Sequence, residues 1–196
     1  QQAVGISANT GKLSDLQNLV SATIKEYGRI DIVVNNAATN PTFGPLTETD
    51  GDAFDHIMNV NLKGPFELAK LALPSMAKNG GGSIINISSI GGISPEPLLG
   101  IYSVSKAALI SLTKVMAKEF GQVGVRANVI CPGLIKTKFS EALWSNEQAT
   151  EKIVKRLPIS RIGVPEDISG LALFLASEAS AYSTGGIFTA DGGYTI

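Results

Sequence analysis

"GSIINISS", residues 82–89, is short, apolar and rich in isoleucine, and it ends on two hydroxyls; "GIYSVSKAALISL", residues 100–112, follows it at helical spacing. The first stretch is too short for a helix and has the near-continuous apolar character of a strand buried on both faces, as in parallel sheets. The second reads as a buried helix. The same alternation extends outward in both directions. "IDIVVNNA" and "VRANVICPG" read as further buried strands, as does "AVGIS" near the start, and "GGIFTADGGY" supplies a short closing strand. Leu13, Leu16, Leu19, Val20, Ile24 and Tyr27 recur at helical spacing, with Gly28 placed as a C-terminal cap. Longer helical patterns run from Asp52 to about Lys78 and from Ile101 to Phe120. Strand and helix in alternation predict an α/β fold, a doubly wound parallel sheet of Rossmann-like kind.

With 196 residues, 44% of them apolar, the chain has material for one well-packed core, and residues 1–196 are expected to form a single domain. Sixteen Lys and Arg against 17 Asp and Glu leave a formal charge of -1, with no run of like charges, so neither nucleic acid nor an anionic membrane is an expected partner. A small or neutral partner fits better. The one cysteine, Cys131, excludes an internal disulfide framework, and with His56 as the one histidine no metal is expected. A reducing, cytoplasmic setting follows. No apolar run reaches the roughly 20 residues that span a bilayer.

The buried helix raises the chemical question, because it sets Tyr102 four places ahead of Lys106. Residues so spaced are neighbours on a helix, and a cation beside a phenol lowers its pKa from about 10 towards neutrality, as a proton-transfer group requires. The pair alone would also suit an exposed helix face. Ser88 and Ser89, however, close a predicted strand at the edge where open α/β sheets bind ligands. A hydroxyl there could hold a substrate carbonyl oxygen together with the tyrosine. "ICPGLIKT" ends another strand with a Pro-Gly turn and the hydroxyl of Thr137, and "VVNNAA" ends a third with amides and small residues.

These motifs, in this order, resemble the short-chain dehydrogenase/reductase family: "YSVSK" its Tyr-x-x-x-Lys signature, "NISS" its serine strand, "VNNAA" its Asn-Asn-Ala-Gly strand, "MNVNLKG" its asparagine helix and "CPGLIKT" its nicotinamide loop. The resemblance implies a nicotinamide cofactor, NAD or NADP, and a ketone or aldehyde exchanged with an alcohol. It implies Tyr102 as general acid/base, Ser89 as holder of the carbonyl, Lys106 on the nicotinamide ribose and depressing the tyrosine pKa, and Asn61 anchoring a water in the proton relay. Asn9, Asn36, Ala37, Ala38, Pro132, Gly133, Ile135 and Thr137 would line the cofactor, Ile135 through its backbone. Asn9 stands where the family often has aspartate, and Ala38 where it usually has glycine.

"NNAATNP" and "CPGLIKTKFSEALW" look most similar to carbonyl reductases of the dehydrogenase/reductase member 4 type. The 3-oxoacyl-carrier-protein reductases are close in overall pattern, but the arginines expected near Gly80 and Val123 to grip an acidic carrier are absent there. A non-catalytic nucleotide-binding or structural relative is the rival from another class. Residues 136–158, amphipathic with Phe139, Leu143 and Trp144, would be a helical insertion, the family's substrate lid. The long helices imply a homodimer or homotetramer. The family's Gly-rich phosphate turn is not in the sequence, so the resemblance places "VGIS" third and "DIVVN" fourth in a 3-2-1-4-5-6-7 strand order. It implies roughly 50 to 60 preceding residues with two βα units. His56, Cys131 and the Asn86-Ile87-Ser88 triplet receive no role: a surface residue, a buried small hydrophobe, and an accidental glycosylation match in a core strand.

Overall fold

The computed structural model describes residues 3–196. Its sheet has four parallel strands in sequence order: β1 (Ile32–Asn35), β2 (Gly82–Ile87), β3 (Val125–Pro132) and β4 (Ile187–Ala190). Val33 lies opposite Ile84, and Ile84 opposite Ala127, so the apolar residues of neighbouring strands share a face. Because all four strands run the same way, the residues that follow them gather along one edge.

The period of two along β2 separates two cores. Ile84 joins Val33, Ala127, Ala69, Ala72, Met76 and Met116 beneath the helices α1 (Leu13–Tyr27), α3 (Gly64–Lys78) and α4 (Gly100–Phe120). Ile85, one residue on, faces the other way and packs with Ile130 and Leu175 beneath α7 (Glu166–Ala176). The α/β architecture with a parallel sheet is as the alternation predicts, and α1 ends as expected on Gly28, which takes the left-handed conformation (φ 76°) and donates to the Ile24 carbonyl. The helix α7 was not among the expected elements. Its signal is present in the sequence: Pro165, then two acids at the helix start, then an apolar run.

Two expectations need correction. Residues 3–9 form no strand, although "AVGIS" has strand composition. A strand persists only with a hydrogen-bonded neighbour, and among the described residues β1 pairs with β2 alone. The helix expected from Asp52 to Lys78 is broken into α2 (Gly51–Met58), a π-helical turn (Asn59–Lys63) and α3. Pro65 is the cause: it has no N–H to give the carbonyl of Asn61 four residues back, and its ring would strike that carbonyl in a regular helix. The widened turn instead closes from Gly64 N–H to the Asn59 carbonyl.

A polar ladder crosses the α4 side of the core. Asn35 Nδ2 donates to Asn86 Oδ1 at 2.7 Å, Asn86 Nδ2 to Thr113 Oγ1 at 2.8 Å, and Thr113 Oγ1 to the Leu109 carbonyl at 2.7 Å. Asn86 and Thr113 are fully buried, so each group depends on the next for its partner. Asn86→Ala leaves the Asn35 amide and the Thr113 hydroxyl short of a partner in a dry core. It should cost about 2–4 kcal/mol of stability, read from urea unfolding midpoints, against about 1 kcal/mol or less if water can replace the amide.

Candidate active site

The turn after β2 and the first turns of α4 meet at the C-terminal edge of the sheet. Ser89 opens that turn, with its hydroxyl accepting from Gly91 N–H at 3.0 Å. Gly92 lies so close to α4 that a Cβ there would come within 2.7 Å of the Lys106 carbonyl carbon, so the serine turn is pressed against the helix that carries Tyr102 and Lys106. Two hydrogen bonds fasten the contact in opposite directions. Lys106 Nζ donates to the Ile87 carbonyl at 2.8 Å, and Ser88 Oγ donates to the Lys106 carbonyl at 2.8 Å.

Lys106 is 2% exposed, and its ammonium sits 5.6 Å from the centroid of the Tyr102 ring. Burial pulls its pKa down from 10.5 to about 8. Burial also raises the Tyr102 phenol above its ordinary value, and a side-chain hydrogen bond with Ser89 opposes that rise. This corrects the expectation that Lys106 depresses the phenol: the ammonium spends a donor on Ile87, and desolvation governs both groups. Cys131, wholly buried at the end of β3, is pushed up to about 11 by burial, against hydrogen bonds with Ser88 and Ser89 and the Lys106 charge, which matches the inert thiol expected there.

Asn61 lies in the π turn, fully buried. Its amide is taken up by the protein: Oδ1 accepts from Thr39 N–H at 2.8 Å, while Nδ2 donates to the Thr39 carbonyl at 2.9 Å and to Ser105 Oγ at 3.0 Å. Ser105 Oγ in turn donates to the Tyr102 carbonyl at 2.7 Å. The asparagine therefore clamps the loop after β1 to the helix of Tyr102, and the group it leaves for a ligand is its backbone carbonyl, which Pro65 cannot bond. Thr39 and Ser105 had not been singled out from the sequence. Ser105 carries a signal, three residues after Tyr102 and so on the same helix face.

The residues expected to line a cofactor fall along this edge. Asn36, Ala37 and Ala38 follow β1 directly, Pro132 ends β3 and Gly133 follows it, giving its N–H to the Ala190 carbonyl at 3.0 Å. Ile135 bridges Gly163 through the groups of its neighbours, Leu134 O and Lys136 N, which turns its own N–H and C=O to the other side. Its carbonyl accepts from Ser140 Oγ. The Thr137 hydroxyl lies 3.1 Å from the same Ser140 oxygen. Asn9 is less available than expected, since its Oδ1 already accepts from Gly11 N–H at 2.9 Å in an Asx turn. It sits beside the π turn, where Asn59 Nδ2 holds the Gly11 carbonyl at 2.7 Å.

Residues 136–158 carry two short helices, α5 (Glu141–Trp144) and α6 (Glu147–Val154), close to the helical insertion expected. Phe139 reaches the site, its ring centroid 6.0 Å from that of Tyr102. Trp144 turns inward on the segment itself: Nε1 donates to the Thr137 carbonyl at 2.9 Å, and Lys136 Nζ lies 5.0 Å from its ring centroid.

The donor set suits a sugar diol and a carboxamide. Lys106 has three N–H donors and one acceptor within the protein, Ile87 O, and the Ile135 N–H is turned away from the bridge with Gly163. Among the described residues no three His, Cys, Asp or Glu side chains are grouped to hold a metal. A half-buried phenol with a serine hydroxyl beside it can hold a carbonyl oxygen and give it a proton.

Comparison with known proteins agrees with the fold and the motifs. A family model described as enoyl-(acyl carrier protein) reductase matches residues 1–195. Dehydrogenase/reductase SDR family member 4 of Bos taurus is 43% identical over 189 residues, which cover 96% of this chain and 68% of that protein. Among solved structures, a short-chain type dehydrogenase/reductase from Mycobacterium ulcerans superposes with a TM-score of 0.91 at 32% identity, over 95% of this chain and 68% of that one. A gluconate 5-dehydrogenase from Burkholderia cenocepacia J2315, solved with NADP and tartrate, does so with a TM-score of 0.91 at 32% identity, over 95% and 72%. The chain belongs to the short-chain dehydrogenase/reductase family of oxidoreductases. Within the family it is similar to the member 4 proteins.

Lys106 makes the site sensitive to pH before any ligand binds. Between about pH 8 and 10.5 the unfolded lysine is protonated and the folded one is not, so the unfolded state binds more protons and stability rises with pH across that window. Paired melting curves of wild type and Lys106→Met should show the difference in Tm moving in favour of the wild type from pH 7.5 to pH 10. A difference independent of pH would mean that the lysine keeps its ordinary pKa.

Proposed function

We propose that this chain reduces a small ketone or aldehyde to an alcohol, or runs the reverse reaction, with NAD or NADP as hydride carrier. The observation that carries the reading is the convergence of Ser89, Tyr102 and Lys106 with the backbone of Asn61 at one sheet edge, each fixed by hydrogen bonds to the protein. The nicotinamide supplies the hydride that reaches the carbonyl carbon. Ser89 Oγ donates to the substrate oxygen and fixes its position. As charge builds on that oxygen the Tyr102 phenol gives it a proton, completing the alcohol. Lys106 would hold the nicotinamide ribose with the donors that Ile87 leaves. The proton returns to Tyr102 from solvent past Lys106 and a water anchored at the Asn61 carbonyl. Asn36, Ala37, Ala38, Pro132, Gly133, Ile135 and Thr137 form the cofactor wall, and the free amide hydrogens of Asn9 remain for the adenine.

The chain is read as one domain in which residues 136–158 are a lid. Its support is the contact of Phe139 with Tyr102 and the anchoring of Trp144 on Thr137, which would let the segment close over substrate while staying tied to the nicotinamide loop. No described helix is long and apolar enough to cross a membrane, and a reducing compartment such as the cytoplasm suits the unpaired, buried Cys131. Assembly as a homodimer or homotetramer is supported by an open groove of about 960 Å³ between α2–α3 and α4, with Leu62, Phe66 and Leu112 in its wall. Val104 and Val115 are half-exposed on the outer side of α4.

Tyr102→Phe removes the proton and keeps the ring. Turnover of the intact protein, followed by nicotinamide absorbance, should fall by about 10²- to 10⁴-fold, the range of general-acid catalysis. Cofactor affinity, from fluorescence titration, should stay within about twofold. A variant retaining more than about a tenth of the wild-type rate would exclude Tyr102 as the acid. Light scattering at micromolar concentration should give the mass of two or four chains; the mass of one chain would remove the assembly.

A further inference from the structure

The segment that leads from the serine turn into α4, residues 93–99, joins Ser89 to the helix of Tyr102, and its backbone is strained at one residue. Leu98 has φ 70°, and it is the one non-glycine residue at positive φ among those described. A leucine there costs of order 1–2 kcal/mol and persists only where neighbours over-determine it. The neighbours come from distant parts of the chain. Gly44 N–H donates to the Leu98 carbonyl at 3.2 Å from the loop after β1. From the other end of the sequence, Tyr194 Oη donates to Glu96 Oε1 at 3.0 Å.

Tyr194 stands on a turn held from within. Asp191 Oδ1 accepts from Gly193 N–H at 2.9 Å, and its Oδ2 accepts from Thr195 N–H at 2.9 Å and from Thr195 Oγ1 at 2.7 Å. The same turn grips the end of the 136–158 segment: Ile159 N–H donates to the Gly192 carbonyl at 3.0 Å, and Pro158 lies against Gly193. Beneath the turn, packing is incomplete. A cavity of about 230 Å³ separates it from the nicotinamide loop, with Leu134, Ile135, Leu157, Ile159 and Ala190 in its wall. The Tyr194–Glu96 hydrogen bond, on the exposed side, links this turn to residues 93–99.

We propose that Tyr194 and Glu96 are a latch that positions residues 93–99 as the substrate-side wall and couples that wall to the return of the 136–158 segment. Tyr194 is then a positioning residue, acting on substrate through Glu96 and the strained loop. Glu96 matters as an acceptor, so an amide oxygen can replace it. The inference rests on the substrate site proposed for Ser89 and Tyr102, but the latch itself can be read without catalysis.

The test compares wild type with Tyr194→Phe, Glu96→Ala, their double variant and Glu96→Gln in the intact protein, by hydrogen–deuterium exchange and by steady-state kinetics with a small ketone. In Tyr194→Phe and Glu96→Ala, amide exchange within 93–100 should quicken by about fivefold or more. KM for the ketone should rise about 3- to 10-fold, with kcat and cofactor affinity within about twofold. The double variant should match either single one, since both remove the same bond. Glu96→Gln should stay near wild type. Unchanged exchange in 93–100, or effects that add in the double variant, would overturn the latch. Faster exchange with unchanged KM would show a structural tie that does not position substrate. If the wild type turned over no carbonyl compound, the function proposed above would fall while the exchange comparison still decided the latch.

Discussion

The burial of the Lys106 ammonium governs the geometry of this protein. A charge removed from water must be given partners, or its cost is several kcal/mol. Here the partner is the Ile87 carbonyl at the last residue of β2, and the return bond, from Ser88 Oγ to the Lys106 carbonyl, comes from the next residue of the same chain segment. Two donors pointing in opposite directions fix both the height and the rotation of α4 on the sheet. With the helix so fixed, Tyr102 one turn earlier can face only the serine turn, and Gly92 is required where that turn meets the Lys106 backbone. A leucine in place of the lysine would pack, but it would keep only one of the two bonds, that from Ser88 Oγ to the backbone carbonyl.

Asn61 extends the constraint to the next strand. Its amide spans the loop after β1 and Ser105 of α4, so a single buried side chain ties the end of β1 to the helix that Lys106 and Ser88 tie to the end of β2. That saturation of the amide also explains why a proline follows four residues later. Pro65 forces the π turn and keeps the Asn61 carbonyl out of the regular helix pattern, so a residue whose side chain is fully used still has a polar group to offer. The backbone irregularity and the side-chain clamp are two parts of one device.

Most of the architecture was legible from the sequence because its signals are local. Isoleucine- and valine-rich runs bounded by Gly and polar residues gave β1, β2 and β3, and the spacing of Leu13 to Tyr27 with Gly28 gave α1 to within two residues. What escaped depends on information that a run of residues does not carry. "AVGIS" has strand composition but no strand partner among the described residues, and pairing is a property of two segments. The π turn looks like a helix because its composition is helical, and the decisive clue was Pro65 alone. At the site, the types and spacing of Ser89, Tyr102 and Lys106 pointed to one edge correctly, whereas the electrostatics did not follow from spacing. Four residues apart suggests a cation acting on a phenol; burial decides how each of them titrates.

That difference bears on the direction in which the resting site is poised. Desolvation favours the neutral form of any group, so it raises the phenol of Tyr102 and lowers the ammonium of Lys106 together. At neutral pH, below about 8, the lysine is still charged while the phenol holds its proton. In the reaction proposed above, a protonated phenol beside a cation and a serine hydroxyl would be the acid form, and the reverse direction would first have to make a phenolate where burial resists it. A change that strengthened the field of Lys106 on the phenol would lower that resistance. Burial alone therefore favours the protonated phenol, and on the proposed reading the phenolate would depend on what is bound.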